Sequence, residues 1–193
     1  MTKVLITGGA GFIGSHVTER LLSEGDEVVV VDNFSTARRD SLEPHERLTV
    51  VEGTIADPEL VERAFAFGPE VVLHAAASYK DPVAWGEDAR TNVVGSANVV
   101  QAAERAGAAR IVYLQTALCY GRPRQVPIPI DHPLAPFTSY GISKAAGESY
   151  LLLACRSCHC GSPTSPGPPA IRPASTPAGG RRYRPRSRAT SRR

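Results

Sequence analysis

The sequence predicts an α/β fold in which helices cover both faces of a doubly wound parallel sheet. Short apolar runs alternate with helical patterns at regular intervals along residues 1–153. These runs are continuously apolar, as strands buried on both faces require. A glycine-rich turn also joins the first run to the first helical pattern. Together these observations favour one domain of alternating strands and helices.

The elements follow one another in a simple order. The predicted strands are VLIT (4–7), EVVVVD (27–32), LTVVEG (48–53), EVVLHAA (70–76) and RIVYLQ (110–115). The predicted helices cover 12–23, 58–67, 87–106 and 139–153. In the third helix, apolar residues recur at a spacing of three to four, which predicts a packed face of Val93, Ala97, Val100 and Ala103 or Ala106. A proline-rich loop precedes the fourth helix, which Thr138 or Ser139 can cap.

The turn after the first strand has the spacing of a phosphate-binding turn. In VLITGGAGFIGSH, Gly8, Gly11 and Gly14 are three residues apart. Glycine at these positions lets backbone N–H groups approach a pyrophosphate and lets the helix pack close to the strand. The turn therefore predicts a Rossmann-like dinucleotide-binding domain over 1–153.

Asp32 ends the second strand about twenty residues after the turn, as dinucleotide-binding sequences require. Its carboxylate can accept hydrogen bonds from the adenosine ribose, and its charge would repel a 2′-phosphate. The alternative for Asp32 is that it only begins a turn. Against the choice of NAD, Arg38 and Arg39 lie close enough to attract the 2′-phosphate of NADP. We expect NAD to be preferred over NADP.

Tyr140 and Lys144 in SYGISKAAGESY are one helical turn apart and share a face. For tyrosine to act as a base near neutral pH, its pKa must fall by about three units, and a neighbouring ammonium favours that change. Thr116 ends the fifth strand, at the edge where doubly wound sheets bind ligands. These three residues are the candidate catalytic group.

Residues 1–153 resemble the NAD-dependent epimerase/dehydratase family, extended short-chain dehydrogenases that act on nucleotide sugars. The matching motifs are TGGAGFIGSH, VDNFST, LHAAA, TNVVGSANVVQAA, TALCYG and YGISKAAGE. The resemblance implies that Tyr140 is the general base, Lys144 its partner and nicotinamide-ribose ligand, and Thr116 the third member. Besides this pair and the three glycines, it implies cofactor contacts from Phe12, Ile13, Asp32, Asn33, Thr54, Ile55, Ala75, Ala76, Ala77 and Asn92.

Two departures from the family pattern narrow the expected activity. Thr54 stands where relatives often have an acidic residue beside the adenine. Ala117 and Leu118 stand where sugar 4,6-dehydratases have an Asp–Glu pair, so the resemblance favours epimerisation. We expect a 4-epimerase that transfers a hydride through a 4-keto sugar, with a UDP-sugar as substrate. The alternatives are an NAD-binding remnant without catalysis, or a dehydratase or reductase of the same family.

The last forty residues, 154–193, differ from the rest. They contain nine arginines and no Lys, Asp or Glu, a net charge of +9, whereas 1–153 has 13 Lys+Arg against 19 Asp+Glu, a net charge of −6. The arginines could hold nucleic acid electrostatically. A cysteine-rich run could hold zinc, but three of its four candidate ligands are contiguous, so we predict no metal site. The run contains Cys155, Cys158, His159 and Cys160.

A reading-frame slip explains the composition of residues 154–193 better than a role in binding nucleic acid or zinc does. Plausible codons for Leu153 through Pro168, regrouped by one base, encode GLPVVSLRLANVTGP, which resembles the strand that the family places after this helix. We expect a frameshift near Leu152–Ala154, a disordered basic tail over 154–193, and a missing C-terminal substrate-binding part. NAD binding would then be weak, and turnover would not be efficient.

Four further residues, the location of the protein and its partners can also be predicted. His74 and Cys119 should be structural, whereas Lys80 and Trp85 could contact substrate or only pack at the surface. We expect a cytoplasmic protein without a membrane span. Relatives suggest a homodimer through the helices near 92–106 and 139–153, and nucleic acid is not expected as a partner.

Overall fold

The computed structural model describes residues 1–79 and 82–157, with side chains described through residue 154. The strands within this part are β1 (Lys3–Thr7), β2 (Glu27–Asp32), β3 (Leu48–Glu52), β4 (Val71–His74) and β5 (Arg110–Tyr113). They form one parallel sheet in the order β3-β2-β1-β4-β5. Since the chain leaves β1 first toward one edge and then toward the other, the predicted doubly wound topology is confirmed.

Helices cover both faces of this sheet. They are α1 (Phe12–Ser23), α2 (Pro58–Phe65), α3 (Trp85–Asp88), α4 (Gly95–Ala106) and α5 (Ser139–Ser157). Successive strand residues point to opposite faces, so each face has its own apolar core. Among the described residues, twelve buried residues form the core on the face covered by α2 and α4, and six form the core on the face covered by α1.

Most predicted boundaries hold, and the exceptions have local causes. The predicted bounds of α1 and β2 are confirmed, and α2 ends at Phe65, two residues early. Strand β4 ends at His74, not at residue 76, because its register partner Thr7 is the last residue of β1. Strand β5 ends at Tyr113, which pairs with His74, for the same reason.

The predicted helix over 87–106 contains a wider turn that its sequence pattern does not reveal. Helix α3 begins at Trp85, and a π-helical segment, Ala89–Val94, joins it to α4. The buried face of α4 therefore differs in part from the predicted one: Val99 is fully buried, whereas Ala97 is only partly buried. Val100 and Ala103 are buried as predicted, Val93 and Ala97 are only partly buried, and Ala106 is exposed, contrary to the prediction.

Helix α5 is capped as expected but is longer than expected. The hydroxyl of Thr138 accepts a hydrogen bond from the Gly141 N–H at 3.0 Å. The helix continues to Ser157, four residues beyond its predicted end at Leu153, and no glycine or proline lies between Leu153 and Gly161 to interrupt it. It packs against α4 and the π-helical segment. The tail predicted over 154–193 lies almost wholly outside the described residues and stays a prediction.

No helix within the part of the chain that the structure describes is long and apolar enough to cross a membrane.

Candidate active site

The carboxyl ends of the strands meet at one edge of the sheet. In the register, Thr7 pairs with His74 and Asp32 pairs with Glu52. A cleft of about 860 Å³ opens there, between the turn after β1, the ends of β2 and β4, and helix α5. Ligands of doubly wound sheets bind at this edge.

The glycine turn forms the floor of the cleft through close backbone packing. Gly8 has φ +70°, and a Cβ there would lie 2.6 Å from the backbone N of Ala76. A Cβ on Gly14 would lie 2.2 Å from the Gly8 carbonyl oxygen. Within the described residues, no side chain caps the N-terminus of α1 at Gly11. Its first N–H groups are therefore available to an anion.

Asp32 is held at the cleft by the backbone. One carboxylate oxygen accepts the Ala10 N–H at 2.9 Å and the other accepts the Phe34 N–H at 2.8 Å. The nearby arginines are already paired: Arg38 donates two hydrogen bonds to Asp40, at 2.8 and 2.7 Å. Arg39 likewise pairs with Glu52 and lowers the pKa of that carboxyl.

His74 lies beneath the cleft and is fully buried, with both ring nitrogens bonded. Nδ1 lies 2.7 Å from Thr7 Oγ1 and Nε2 lies 2.9 Å from Ser96 Oγ. Since Ser96 donates its hydroxyl proton to the Asn92 carbonyl, it must accept from Nε2–H. Burial, assisted by the charge of Lys144, lowers the pKa of His74 to about 3. The predicted structural role of His74 is therefore confirmed.

Neutral His74 should make the stability of the fold depend on pH. The unfolded chain takes up a proton near pH 6.5 that the folded chain excludes until about pH 3. The free energy of unfolding should therefore decrease as the pH falls through this window, by up to about 1.4 kcal/mol per unit. Urea unfolding at a series of pH values measures this slope. His74→Gln should reduce the slope of unfolding free energy against pH, whereas His16→Gln, at an exposed position, should leave the slope unchanged. Equal slopes in the unsubstituted chain and both variants would contradict the role given to His74.

Tyr140 and Lys144 both line the cleft, as their predicted pairing requires. The Tyr140 ring lies 6.1 Å from the Tyr79 ring, centroid to centroid. Burial, then Tyr79 and Asp88, raise the pKa of Tyr140, so the phenol is protonated without a ligand. Burial lowers the pKa of Lys144 to about 8, against the opposing effect of Glu148. A positive charge brought into the cleft would lower the pKa of Tyr140.

The structure brings most of the predicted site residues to one cleft, with two exceptions. Those that line the cleft are Gly8, Gly11, Phe12, Ile13, Gly14, Asp32, Asn33, Thr54, Ile55, Ala75, Ala76, Ala77, Tyr140 and Lys144. Thr116 does not; its hydroxyl accepts from the Leu118 N–H at 3.2 Å and begins the 3₁₀ turn Ala117–Tyr120. Asn92 is buried behind the wall, where its amide bonds Ser78 and Ser143. The roles predicted for both residues stay predictions.

Sequence reasoning missed Gln115, which also lines the cleft. Its side chain donates to Glu148 at 2.8 Å, and its position just before Thr116, at the end of the predicted fifth strand, was the available signal. Trp85 is 69% exposed and donates to the Pro82 carbonyl, whereas Lys80 lies outside the described residues. Cys119 is buried as predicted, and burial raises the pKa of its thiol.

Among the described residues, no group of three His, Cys, Asp or Glu side chains could hold a metal ion. The cysteine-rich run near residues 155–160 lies outside the described side chains.

Known proteins resemble this chain in sequence and in fold. The sequence profile of the NAD dependent epimerase/dehydratase family matches residues 4–163. A UDP-glucose 4-epimerase from Mycolicibacterium smegmatis is 37% identical over 159 residues, which cover 77% of this chain and 50% of the relative. A putative UDP-glucose 4-epimerase from Methanocaldococcus jannaschii is 34% identical over 157 residues, 78% of this chain and 50% of the relative. The chain thus spans about half the length of the curated relatives it matches.

Solved structures give the same picture. The Bordetella bronchiseptica enzyme WbmG in complex with NAD is 57% identical with a TM-score of 0.77, over 79% of this chain and 49% of that one. UDP-glucose 4-epimerase with UDP-glucose from Thermotoga maritima is 35% identical with a TM-score of 0.75, over 80% and 51%.

Proposed function

Because the chain belongs to the NAD-dependent epimerase/dehydratase family, we propose that it binds NAD and takes part in 4-epimerisation of a nucleotide sugar. One observation carries the proposal: Tyr140 and Lys144 stand on the wall of the cleft whose floor is the glycine turn. An acid–base pair and a dinucleotide site therefore face the same space. Relatives named UDP-glucose 4-epimerase support the sugar-nucleotide part.

The residues present fit NAD. The close packing at Gly8 and Gly14 brings the start of α1 against the end of β1, and its uncapped N–H groups suit a diphosphate. Asp32 offers a carboxylate suited to ribose hydroxyls. The volume of about 860 Å³ lies within the range of cofactor sites.

The chemistry divides between the cofactor and the chain. When bound, NAD supplies the group that accepts a hydride and returns it. Tyr140 would remove the proton of the sugar hydroxyl and give it back after the 4-keto sugar has turned over. Lys144 would favour the tyrosinate by its charge and bind the nicotinamide ribose, and Thr116 would hydrogen-bond the substrate oxygen. Ala117 and Leu118 carry no acid or base for dehydration.

A second candidate function is NAD binding without turnover. The position of Thr116 favours it, since its hydroxyl already begins a 3₁₀ turn and the residue lies off the cleft wall. The two candidates share the cofactor site and differ only in what happens to a sugar nucleotide.

Two measurements on the full chain test these proposals. Fluorescence titration with NADH reports cofactor binding, and chromatography of UDP-galactose incubated with the chain and NAD reports conversion to UDP-glucose. Binding with conversion supports the epimerase, and binding without conversion supports the second candidate. Absence of NADH binding would contradict both.

The choice of cofactor should depend on Asp32. Its carboxylate would repel the 2′-phosphate of NADPH, and the two nearby arginines, Arg38 and Arg39, are each paired with a carboxylate. The unsubstituted chain should bind NADH more tightly than NADPH, and Asp32→Ser should reduce the ratio of the two affinities about tenfold. Titration with both nucleotides measures the ratio. Asp131→Ser, at an exposed position, should leave it unchanged; an unaltered ratio in Asp32→Ser would refute the assignment.

The proposed partner is a UDP-sugar, in keeping with the neighbour solved with UDP-glucose. The homodimer through α4 and α5 stays a prediction. In the structure these two helices pack on each other.

A further inference from the structure

The ammonium of Lys144 lies on the face of an aromatic ring. Its Nζ is 3.7 Å from the centroid of the Tyr113 ring, and the lysine is only 1% exposed. Within the described part of the chain, no carboxylate forms an ion pair with it. The carboxylate of Glu148, one turn along α5, instead accepts the side-chain amide of Gln115 at 2.8 Å. The ring is therefore the close partner of the cation.

Tyr113 is held in this position from several sides. Its hydroxyl donates to the Lys144 carbonyl at 3.1 Å, so the same residue contacts both ends of the lysine. Its ring lies 5.2 Å from the His74 ring, centroid to centroid. A Cβ on Gly147 would lie 2.7 Å from the Tyr113 hydroxyl oxygen, so only glycine there lets α5 approach this closely.

We propose that Tyr113 is a positioning residue whose ring face keeps the Lys144 ammonium charged and facing the cleft beside Tyr140. The contact is independent of the proposed function, but its use in catalysis rests on that function. The negative face of an aromatic ring attracts a cation, most strongly where water is excluded. A neutral amine could not favour the tyrosinate, so a buried lysine needs such a partner.

The groups that face the ammonium make the ring's contribution measurable. On α5, Glu148 carries a negative charge that raises the pKa of Lys144, while Tyr140 is a neutral phenol. On β4, buried His74 is neutral above about pH 3. On β5, burial raises the pKa of Tyr113 itself, so it too stays neutral and acts through its ring. Burial lowers the pKa of the lysine to about 8, and loss of the ring should lower it further.

The chain contains three lysines, Lys3, Lys80 and Lys144, so each can be followed separately. The full chain labelled with ¹³C and ¹⁵N lysine can be titrated by NMR, with Lys144→Arg to assign the signal. Lys144 should titrate near pH 8 in the parent. Tyr113→Leu should lower this pKa by roughly half a unit to one unit. Tyr113→Phe keeps the ring and should titrate as the parent does.

A second measurement, the ring-current shift that Tyr113 causes, uses the unsubstituted chain and therefore does not depend on whether a variant folds. The side-chain protons of Lys144 near Nζ should show an upfield ring-current shift in the parent relative to a lysine peptide. Absence of that shift overturns the proposal, as does a pKa in a folded Tyr113→Leu that equals or exceeds the parent value. The titration needs neither NAD nor sugar, so a chain that binds no NADH or converts no UDP-galactose can still pass or fail it.

Discussion

Gly14→Ala is expected to lower the free energy of unfolding by about 1–3 kcal/mol and the NADH affinity at least about tenfold. The added Cβ would lie 2.2 Å from the Gly8 carbonyl oxygen and 2.6 Å from the Gly9 Cα. Both are backbone atoms, so neither can turn away as a side chain would. Helix α1 must therefore move away from the end of β1, and its N–H groups would leave the position proposed for the diphosphate.

Gly86 provides a matched control for this change. A Cβ there meets no heavy atom within 4 Å, and the residue lies in helix α3, where alanine is favoured over glycine by about 1 kcal/mol. Gly86→Ala should keep both stability and NADH binding. Urea unfolding and fluorescence titration measure the two quantities in parallel. Parent-like affinity in Gly14→Ala would show that the close contact at this turn is not needed for binding.

Tyr140→Phe is expected to bind NADH like the parent and to convert UDP-galactose roughly 10²–10⁴-fold more slowly. Phenylalanine keeps the ring that contacts Tyr79 but removes the hydroxyl that would exchange the proton. Binding should persist because the glycine turn and Asp32 are unchanged. The loss therefore belongs to the chemical step and should appear in the rate at saturating sugar nucleotide.

Tyr150→Phe on the same helix is the control, since this tyrosine is 43% exposed and lies off the cleft wall. It should retain the parent rate, which chromatography of the sugar nucleotides measures. Equal rates in the parent and in Tyr140→Phe would rule out the hydroxyl as the proton-transferring group.

The sheet and the glycine turn could be predicted because their signals are local. Continuous apolar runs mark β1 to β5, and Gly8 to Gly14 occupy a strand-to-helix turn that needs close backbone approach. Tyr140 and Lys144 are one turn apart, so their common face follows from helix geometry alone. These features can be predicted from the periodicity of a single strand or helix.

The remaining features depend on contacts between distant segments. The π-helical turn at Ala89–Val94 has no signature in the apolar pattern, so the pattern could not predict that Val93 and Ala97 are only partly buried. The contact between Tyr113 and Lys144 joins residues 31 positions apart and depends on a close approach of α5 at Gly147. The capping position of Thr116 likewise depends on how the chain turns after β5.

The unequal cores on the two faces of the sheet have a consequence for how the domain opens. Among the described residues, six buried apolar residues form the core on the face of α1, against twelve on the face of α2 and α4. Regions with less buried apolar surface open at lower free energy, so amide hydrogens of α1 should exchange with solvent before those of α4. Because the glycine turn leads into α1, a ligand bound at that turn would slow exchange on the weaker face first.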